Sequence, residues 1–133
     1  MELLHPKDWA RTSGFSSGVA AEGRQVFVAG QVGWNARQEI VDDDFVAQVE
    51  QALRNVVEIL AEAGAQPEHI VRLNWYITDK QEYLARSSDV GQAYRRIVGR
   101  HFPAMTLVQV VALLEDRARV EIEATAVIPA RPV

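Results

Sequence analysis

Residues 45–78, FVAQVEQALRNVVEILAEAGAQPEHIVRLNWYIT, carry two different periodicities back to back. Phe45, Val49, Ala52, Leu53, Val56, Leu60 and Ala63 recur at three- and four-residue spacings, the pattern of a helix with one apolar stripe. Asp42, Asp43 and Asp44 precede that stripe and Gly64 follows it, which suits an N-cap and a C′ residue. The acidic start also matches the positive end of the helix dipole, so the three aspartates need no catalytic role. From Ile70 to Thr78 the period changes to two. Val71, Leu73, Trp75 and Ile77 point one way, and Arg72, Asn74, Tyr76 and Thr78 point the other, as in a half-buried strand.

Working outward, a second helical stripe runs between Gln81 and His101 through Leu84, Val90, Ala93, Tyr94, Ile97 and Val98, with Gly99 and Pro103 near its end. Thr106–Leu114 is almost continuously apolar and Arg119–Ile128 alternates. With the polar link Glu115-Asp116-Arg117 between them, they read as a hairpin. On the N-terminal side, Phe15–Ala21 reads as an edge strand turning at Ala21–Arg24 into Gln25–Val32, a strand of a second hairpin. The tail from Pro129 to Val133 reads as unstructured. The order ββ, α, β, α, ββ predicts an α+β fold, a mixed sheet with two helices on one face. Because Thr106–Leu114 is apolar on both sides, the second face calls for a cover, and a partner subunit is the simplest one.

The 133 residues bound this to one domain. Lys and Arg number 14 against 18 Asp and Glu, a net charge of −4, with no basic run to track a phosphate backbone, which argues against nucleic acid. There is no Cys, hence no disulfide framework and no thiolate chemistry. No signal-like apolar core and no run of about 18 apolar residues is present, so the reading is a cytoplasmic, soluble protein without a membrane partner. His5, His69 and His101 are scattered, with no metal-ligand spacing. Gly14-Phe15-Ser16-Ser17-Gly18 matches G-x-S-x-G formally, but no strand precedes it and no helix follows, as a nucleophile elbow requires.

Glu121 and Glu123 are the strongest chemical lead. Two apart on a strand, they share one face of the sheet, where a carboxylate beside a cleft is suited to general acid–base work. The alternative is that both face solvent and pair with Arg119 or Arg72. Trp34, after Gly33 and before the polar turn Asn35-Ala36-Arg37, belongs at a strand end rather than in the core.

Several short pieces occur together in a telling order: Val28-Ala29-Gly30-Gln31-Val32, Gln51–Val56, Ala63-Gly64-Ala65 with Ile70-Val71, Tyr76-Ile77-Thr78-Asp79, Phe102-Pro103-Ala104 and Val120–Ala124. In this combination the chain resembles the RidA/YjgF/UK114 (Rid) family from about Phe15 to Pro129. That resemblance implies a chorismate-mutase-like fold assembled as a homotrimer, with small-molecule clefts between subunits. It implies hydrolysis of enamines and imines, such as 2-aminoacrylate and its imine, to a 2-oxo acid and ammonia without cofactor or metal. Position by position, Glu121 matches a catalytic glutamate of the last strand. Gly30 with Gln31 matches the strand glycine segment, Phe15 stands where many members have Tyr, and Trp34 lines the implied cleft. Met105, in Pro103-Ala104-Met105-Thr106, stands where active members have an Arg that clamps the substrate carboxylate, and Gly91 replaces a small polar residue. An Arg–carboxylate pair contributes about 1.5–3 kcal/mol, so its loss leaves three readings open. One is a Rid-type protein acting on or binding a less acidic molecule. Another is an imine deaminase with its anchor relocated, for which Arg37, Arg72 and Arg100 are available. The last is a non-catalytic binding or regulatory trimer.

Overall fold

The computed structural model describes residues 1–130; of the tail expected to be irregular, Pro129 and Ala130 are outside any element and residues 131–133 lie outside the described residues. The chain forms β1 (Glu2–Leu4), β2 (Gly18–Ala20), β3 (Arg24–Val32), α1 (Phe45–Glu62), β4 (Ile70–Ile77), α2 (Lys80–Ala85), α3 (Ser87–Ile97), β5 (Ala104–Gln109) and β6 (Val120–Ile128). One short 3-10 turn, Pro67–His69, leads into β4. Four strands make the main sheet in the order β3-β6-β4-β5, and β1 and β2 form a small ribbon beside it. The fold is α+β with a mixed sheet, as the periodicities indicate.

α1 begins where the sequence places it. The Asp44 side chain accepts a hydrogen bond from Ala47 N at 3.0 Å, and Gly64 adopts φ +75° just past the helix end. The apolar stripe is fully used, with Phe45, Val49, Ala52, Leu53, Val56 and Leu60 all buried against β3 and β6. Gln48 is the one buried polar side chain among the described residues, and it is satisfied throughout. Its Nε2 donates to Asp42 O and Arg117 O at 2.9 and 3.1 Å, and its Oε1 accepts from Arg119 N at 2.8 Å. This amide ties the start of α1 to the chain entering β6. Gly33 lets β3 come close to the same point, since a Cβ there would lie 2.7 Å from Gln48 Cα.

Both expected hairpins are absent. β2 pairs with β1, a strand the sequence reading did not find, and β3 pairs with β6. β5 stops at Gln109 and runs parallel to β4, with Leu73 opposite Met105 and Tyr76 opposite Val108. β6 lies between β3 and β4, antiparallel to both. The physical reason is the β4–α2–α3–β5 crossover, which returns the chain parallel to β4 at the sheet edge. Once β5 holds that edge, the slot left for β6 is on the other side of β4. Residues 110–119 make the connection as a loop that leaves Val111 and Leu114 fully exposed. The second helical stripe is also divided. α2 ends at Ala85 and α3 starts at Ser87, so three helices stand where two were expected. At the joint, Arg86 binds Asp44 at 2.9 Å and Asp89 at 3.1 Å.

Helices cover one face of the sheet only. Leu73, Trp75, Ile77, Val120, Ile122, Ala124 and Ala126 are buried on that side. The opposite face, carrying Arg72, Asn74, Tyr76, Glu121, Glu123 and Thr125, is bare, and Phe27 beside it is 70% exposed. Among the described residues no helix is long and apolar enough to cross a membrane.

Candidate functional site

Glu121 and Glu123 project onto the bare face, where their cross-strand neighbours on β4 are Tyr76 and Asn74. Their fates differ. Glu123 Oε1 accepts from Tyr76 Oη at 2.7 Å and from Asn74 Nδ2 at 3.1 Å. The Tyr76 phenol is held above its usual value, first by this hydrogen bond to Glu123, then by burial and the nearby carboxylate charges. Neither glutamate pairs with the arginines available to it. Arg119 reaches Glu82 at 2.6 Å, and Arg72 Nε donates to Asn74 Oδ1 at 3.2 Å.

Glu121 has no hydrogen-bond or ion-pair partner among the described residues. Its carboxyl group is half-buried against Gly30 of β3, where an added Cβ would stand 2.2 Å from Oε1 and 2.8 Å from Cδ. The β3–β6 register slips at this place, between Val28 opposite Ala124 and Gln31 opposite Ile122. That slip is a β-bulge, which lifts backbone groups out of the ladder and re-aims the side chains beside it. Glycine is favoured here by contact rather than by backbone dihedral, since an added Cβ would displace the flexible end of Glu121. The result is a carboxyl group without a hydrogen-bond donor among the described residues, lying over loosened backbone. Such an arrangement can hold a water and exchange a proton with it.

The other sequence-derived candidates fall in three further places. Phe15 lies outside β5, where Ser16 N donates to Pro103 O at 3.0 Å and Ser16 Oγ donates to Phe102 O at 2.6 Å. It lines a cleft of about 510 Å³ with Thr12, Arg100, His101 and Phe102. Gln31 and Trp34 line a different cleft of about 610 Å³, between the end of β3 and α1, with Asn35, Gln51, Asn55 and Glu58. Trp34 is half-buried at the strand end, bridged to Ile40, and its carbonyl accepts from Asn55 Nδ2 at 2.9 Å. Met105 stands opposite Leu73, so it projects to the helical side of the sheet and packs on the main core.

Within one chain, therefore, Glu121 lies against Gly30 and Gln31 shares a cleft with Trp34, while Phe15 and Met105 stand apart from both. Met105 and Glu121 stand on opposite faces of the sheet. Ser16, bridged to Ala104 at the sheet edge, is three strands from Glu121 and some four residues further along, roughly 13 Å on the strand axis alone. The sequence reading missed Asn74 and Tyr76 as the clamp on Glu123 and Arg100 as a neighbour of Phe15. The alternation along β4 does put Asn74 and Tyr76 on the polar side, but only the β4–β6 register shows what they hold.

An α+β chain with a mixed sheet, one bare face and a free carboxylate over a strand glycine is the class that these features define. Residues 7–128 match the family described as Endoribonuclease L-PSP, and the chain belongs to it, within the group of Rid proteins. It is 34% identical over 105 residues to a 2-iminobutanoate/2-iminopropanoate deaminase from Capra hircus, covering 78% of this chain and 73% of the relative. A Rid-family protein of unknown function from Yersinia pestis, YyfB, superposes with a TM-score of 0.85 at 34% identity, over 96% of this chain and 98% of that one. TdcF from E. coli with bound serine gives a TM-score of 0.68 at 26% identity, over 96% and 99%.

Proposed function

We propose that this single-domain chain hydrolyses small enamines and imines as a cytoplasmic homotrimer, in clefts formed between subunits, with Glu121 as the proton-transfer group. The observation that carries the reading is the Glu121 carboxylate, left without a partner among the described residues over Gly30. Glu121 takes a proton from a water as its oxygen adds to the imine carbon. The nitrogen gains that proton, and the carbinolamine collapses to a carbonyl and ammonia. The sum is imine plus water to 2-oxo compound plus ammonia, with no electrons transferred and no cofactor needed.

The separation of the candidate residues within one chain supports a site shared between chains. Phe15, Gly30, Gln31, Trp34 and Glu121 line it together only if a neighbouring copy completes it, whereas Met105 packs on the core. Exposed Phe27 and Val108 beside the polar rows of the bare face favour such a neighbour. The deaminase named among the relatives supports the reaction, and the serine in TdcF supports a ligand of amino-acid size.

The test is imine hydrolysis followed with semicarbazide as the trap, using freshly generated 2-iminopropanoate and wild-type, Glu121→Ala and Met105→Arg proteins. The expected result is acceleration by the wild type, its loss in Glu121→Ala, and no gain in Met105→Arg, whose side chain enters the core. Three inert proteins would overturn the reaction and leave a non-catalytic binding trimer in its place.

A further inference from the structure

β1 and β2 stand apart from the main sheet. Their ribbon pairs Glu2 with Ala20, Leu3 with Val19 and Leu4 with Gly18. Continued by one residue, that register sets His5 opposite Ser17, and the two side chains meet there, with Ser17 Oγ 3.4 Å from His5 Nδ1. Gly18 keeps the strands close beside them, since an added Cβ would stand 3.3 Å from Leu4 Cβ. Past His5 the chain turns, with Trp9 N donating to Pro6 O at 3.1 Å, and the turn brings Trp9 O within 3.1 Å of His5 Nε2.

These contacts decide the tautomer of the neutral His5 ring. A carbonyl oxygen only accepts, so Nε2 carries the proton and donates it to Trp9 O. Nδ1 is left with a bare lone pair facing the Ser17 hydroxyl. A hydroxyl beside the basic nitrogen of an imidazole whose far nitrogen is held by an acceptor is the arrangement that activates a serine. The separation is longer than a closed hydrogen bond, as it often is in such pairs before a substrate draws them together. Ser16, the central serine of Gly14-Phe15-Ser16-Ser17-Gly18, serves another end, because its Oγ donates to Phe102 O at 2.6 Å. The elbow that this motif implies is absent, yet its second serine is the one beside a base.

His5 and Ser17 line a hollow of about 210 Å³ with Leu3, Leu4, Thr12 and Arg11. Both side chains are exposed, so a ligand reaches them without any movement of the chain. Thr12 Oγ1 is committed to Phe15 O at 2.7 Å, which leaves Ser17 as the hydroxyl at the base. Leu3 and Leu4 supply apolar surface. Arg11 is the one permanently charged side chain in the lining among the described residues, a cation suited to an oxygen that becomes negative. The hollow lies beyond the β5 edge of the sheet, away from Glu121.

We propose that Ser17 and His5 are a nucleophile and base that hydrolyse small carboxylic esters with short apolar acyl chains, a second activity independent of the imine-hydrolase reading. Ser17 Oγ adds to the ester carbonyl carbon while its proton passes to His5 Nδ1. The bond from that carbon to the alcohol oxygen breaks, and His5 returns the proton to the departing oxygen. A water that gives a proton to His5 then releases the acyl group from Ser17 as the acid. The sum is ester plus water to acid plus alcohol, with no electrons transferred.

The experiment follows hydrolysis of p-nitrophenyl butanoate by the full chain, beside N-acetylhistidine methylamide at the same concentration, with wild-type, Ser17→Ala, His5→Gln and Ser13→Ala proteins. In a parallel arm the wild type is treated with a fluorophosphonate and the adduct is located by peptide mass mapping. The wild type is expected to exceed the free imidazole roughly hundredfold. Ser17→Ala and His5→Gln each lose that excess, and combining them loses no more, since the two residues act as a unit. Ser13→Ala, at another exposed serine of the same segment, keeps it. The phosphonate is expected on Ser17. A wild-type rate equal to that of the free imidazole, activity that survives Ser17→Ala, or Ser17 left unmodified overturns the proposal. The mapping uses the wild type alone, so it decides even where a variant fails to fold.

Discussion

On β6 the side chains of Val120, Ile122, Ala124 and Ala126 are closed off beneath the helical layer, while Glu121, Glu123 and Thr125 between them stand half-covered on the bare side of the same sheet. The buried row gains by removing apolar area from water, about 25 cal/mol per Å². The bare row gains almost nothing that way, and each of its polar groups is stable only through what it touches. Glu123 touches Asn74 and Tyr76, whereas Glu121 lies against Gly30 without a hydrogen-bond partner among the described residues. Two carboxylates of the same type, two residues apart, thus serve opposite ends. One is tied to the neighbouring strand and the other is without a hydrogen-bond partner among the described residues.

Adjacent residues on β6 give the sharpest way to break this contrast. Glu121→Gln removes the proton-transfer group and is expected to lower kcat for imine hydrolysis roughly 10²–10⁴-fold. Its melting temperature stays within about 0.5 kcal/mol equivalent of wild type, because no protein partner is lost. Ile122→Ala, one residue on and facing the other way, is expected to cost about 2–5 kcal/mol in urea unfolding through the cavity it leaves. If Glu121→Gln destabilised as much as Ile122→Ala, the division of labour between the two faces would be wrong.

Gly30→Ala tests the contact itself. The methyl group displaces the flexible end of Glu121, so activity is expected to fall roughly ten- to hundredfold with a smaller loss of stability than Ile122→Ala.

Tyr76→Phe probes the strut and is expected to cost about 1 kcal/mol at pH 7. Its effect depends on pH in a defined direction. The folded phenol binds its proton more tightly than the unfolded one. Its contribution is therefore complete below the ordinary phenol value of about 10 and is lost as pH rises through the higher folded value. Denaturation midpoints at pH 9 and 11 should converge for the two proteins as pH increases.

The smallest effect belongs to a site away from both faces. Asp44→Asn keeps an N-cap of equal quality and loses only the charge pair with Arg86, which is exposed and worth at most a few tenths of a kcal/mol. The Arg86 hydrogen bond, followed by that from Ala47 N, holds the Asp44 carboxyl below its usual value. Its share of stability is present above the ordinary carboxylate range and is lost as pH falls through the lowered value, a drop that Asp44→Asn abolishes in acid titrations.

Much of the fold could be read locally. α1 and β4 announced themselves because a 3.6-residue or two-residue period over eight or more positions is set by one buried face, and that face is a property of the segment. β1, three exposed residues long, left no such signal, and the break at Arg86 lay inside an unbroken apolar stripe. Strand pairing was misread because consecutive strands were joined by default, whereas the parallel return of β5 moved β6 between β3 and β4. The candidate site divided in the same way. Glu121 and Gly30 were each singled out along the chain, but their contact depends on a one-residue register slip.

By itself, then, the sequence determined the element types, the helix caps, the alternation that sends Glu121 and Glu123 to one face and Ile122 to the other, and a charge balance without a basic tract. These follow from short-range backbone periodicity and composition. The tertiary structure decided which strands are neighbours, which of the two carboxylates is tied down, and that Met105 turns toward the core. Those outcomes depend on register and on contacts between residues tens of positions apart, and no local pattern encodes them.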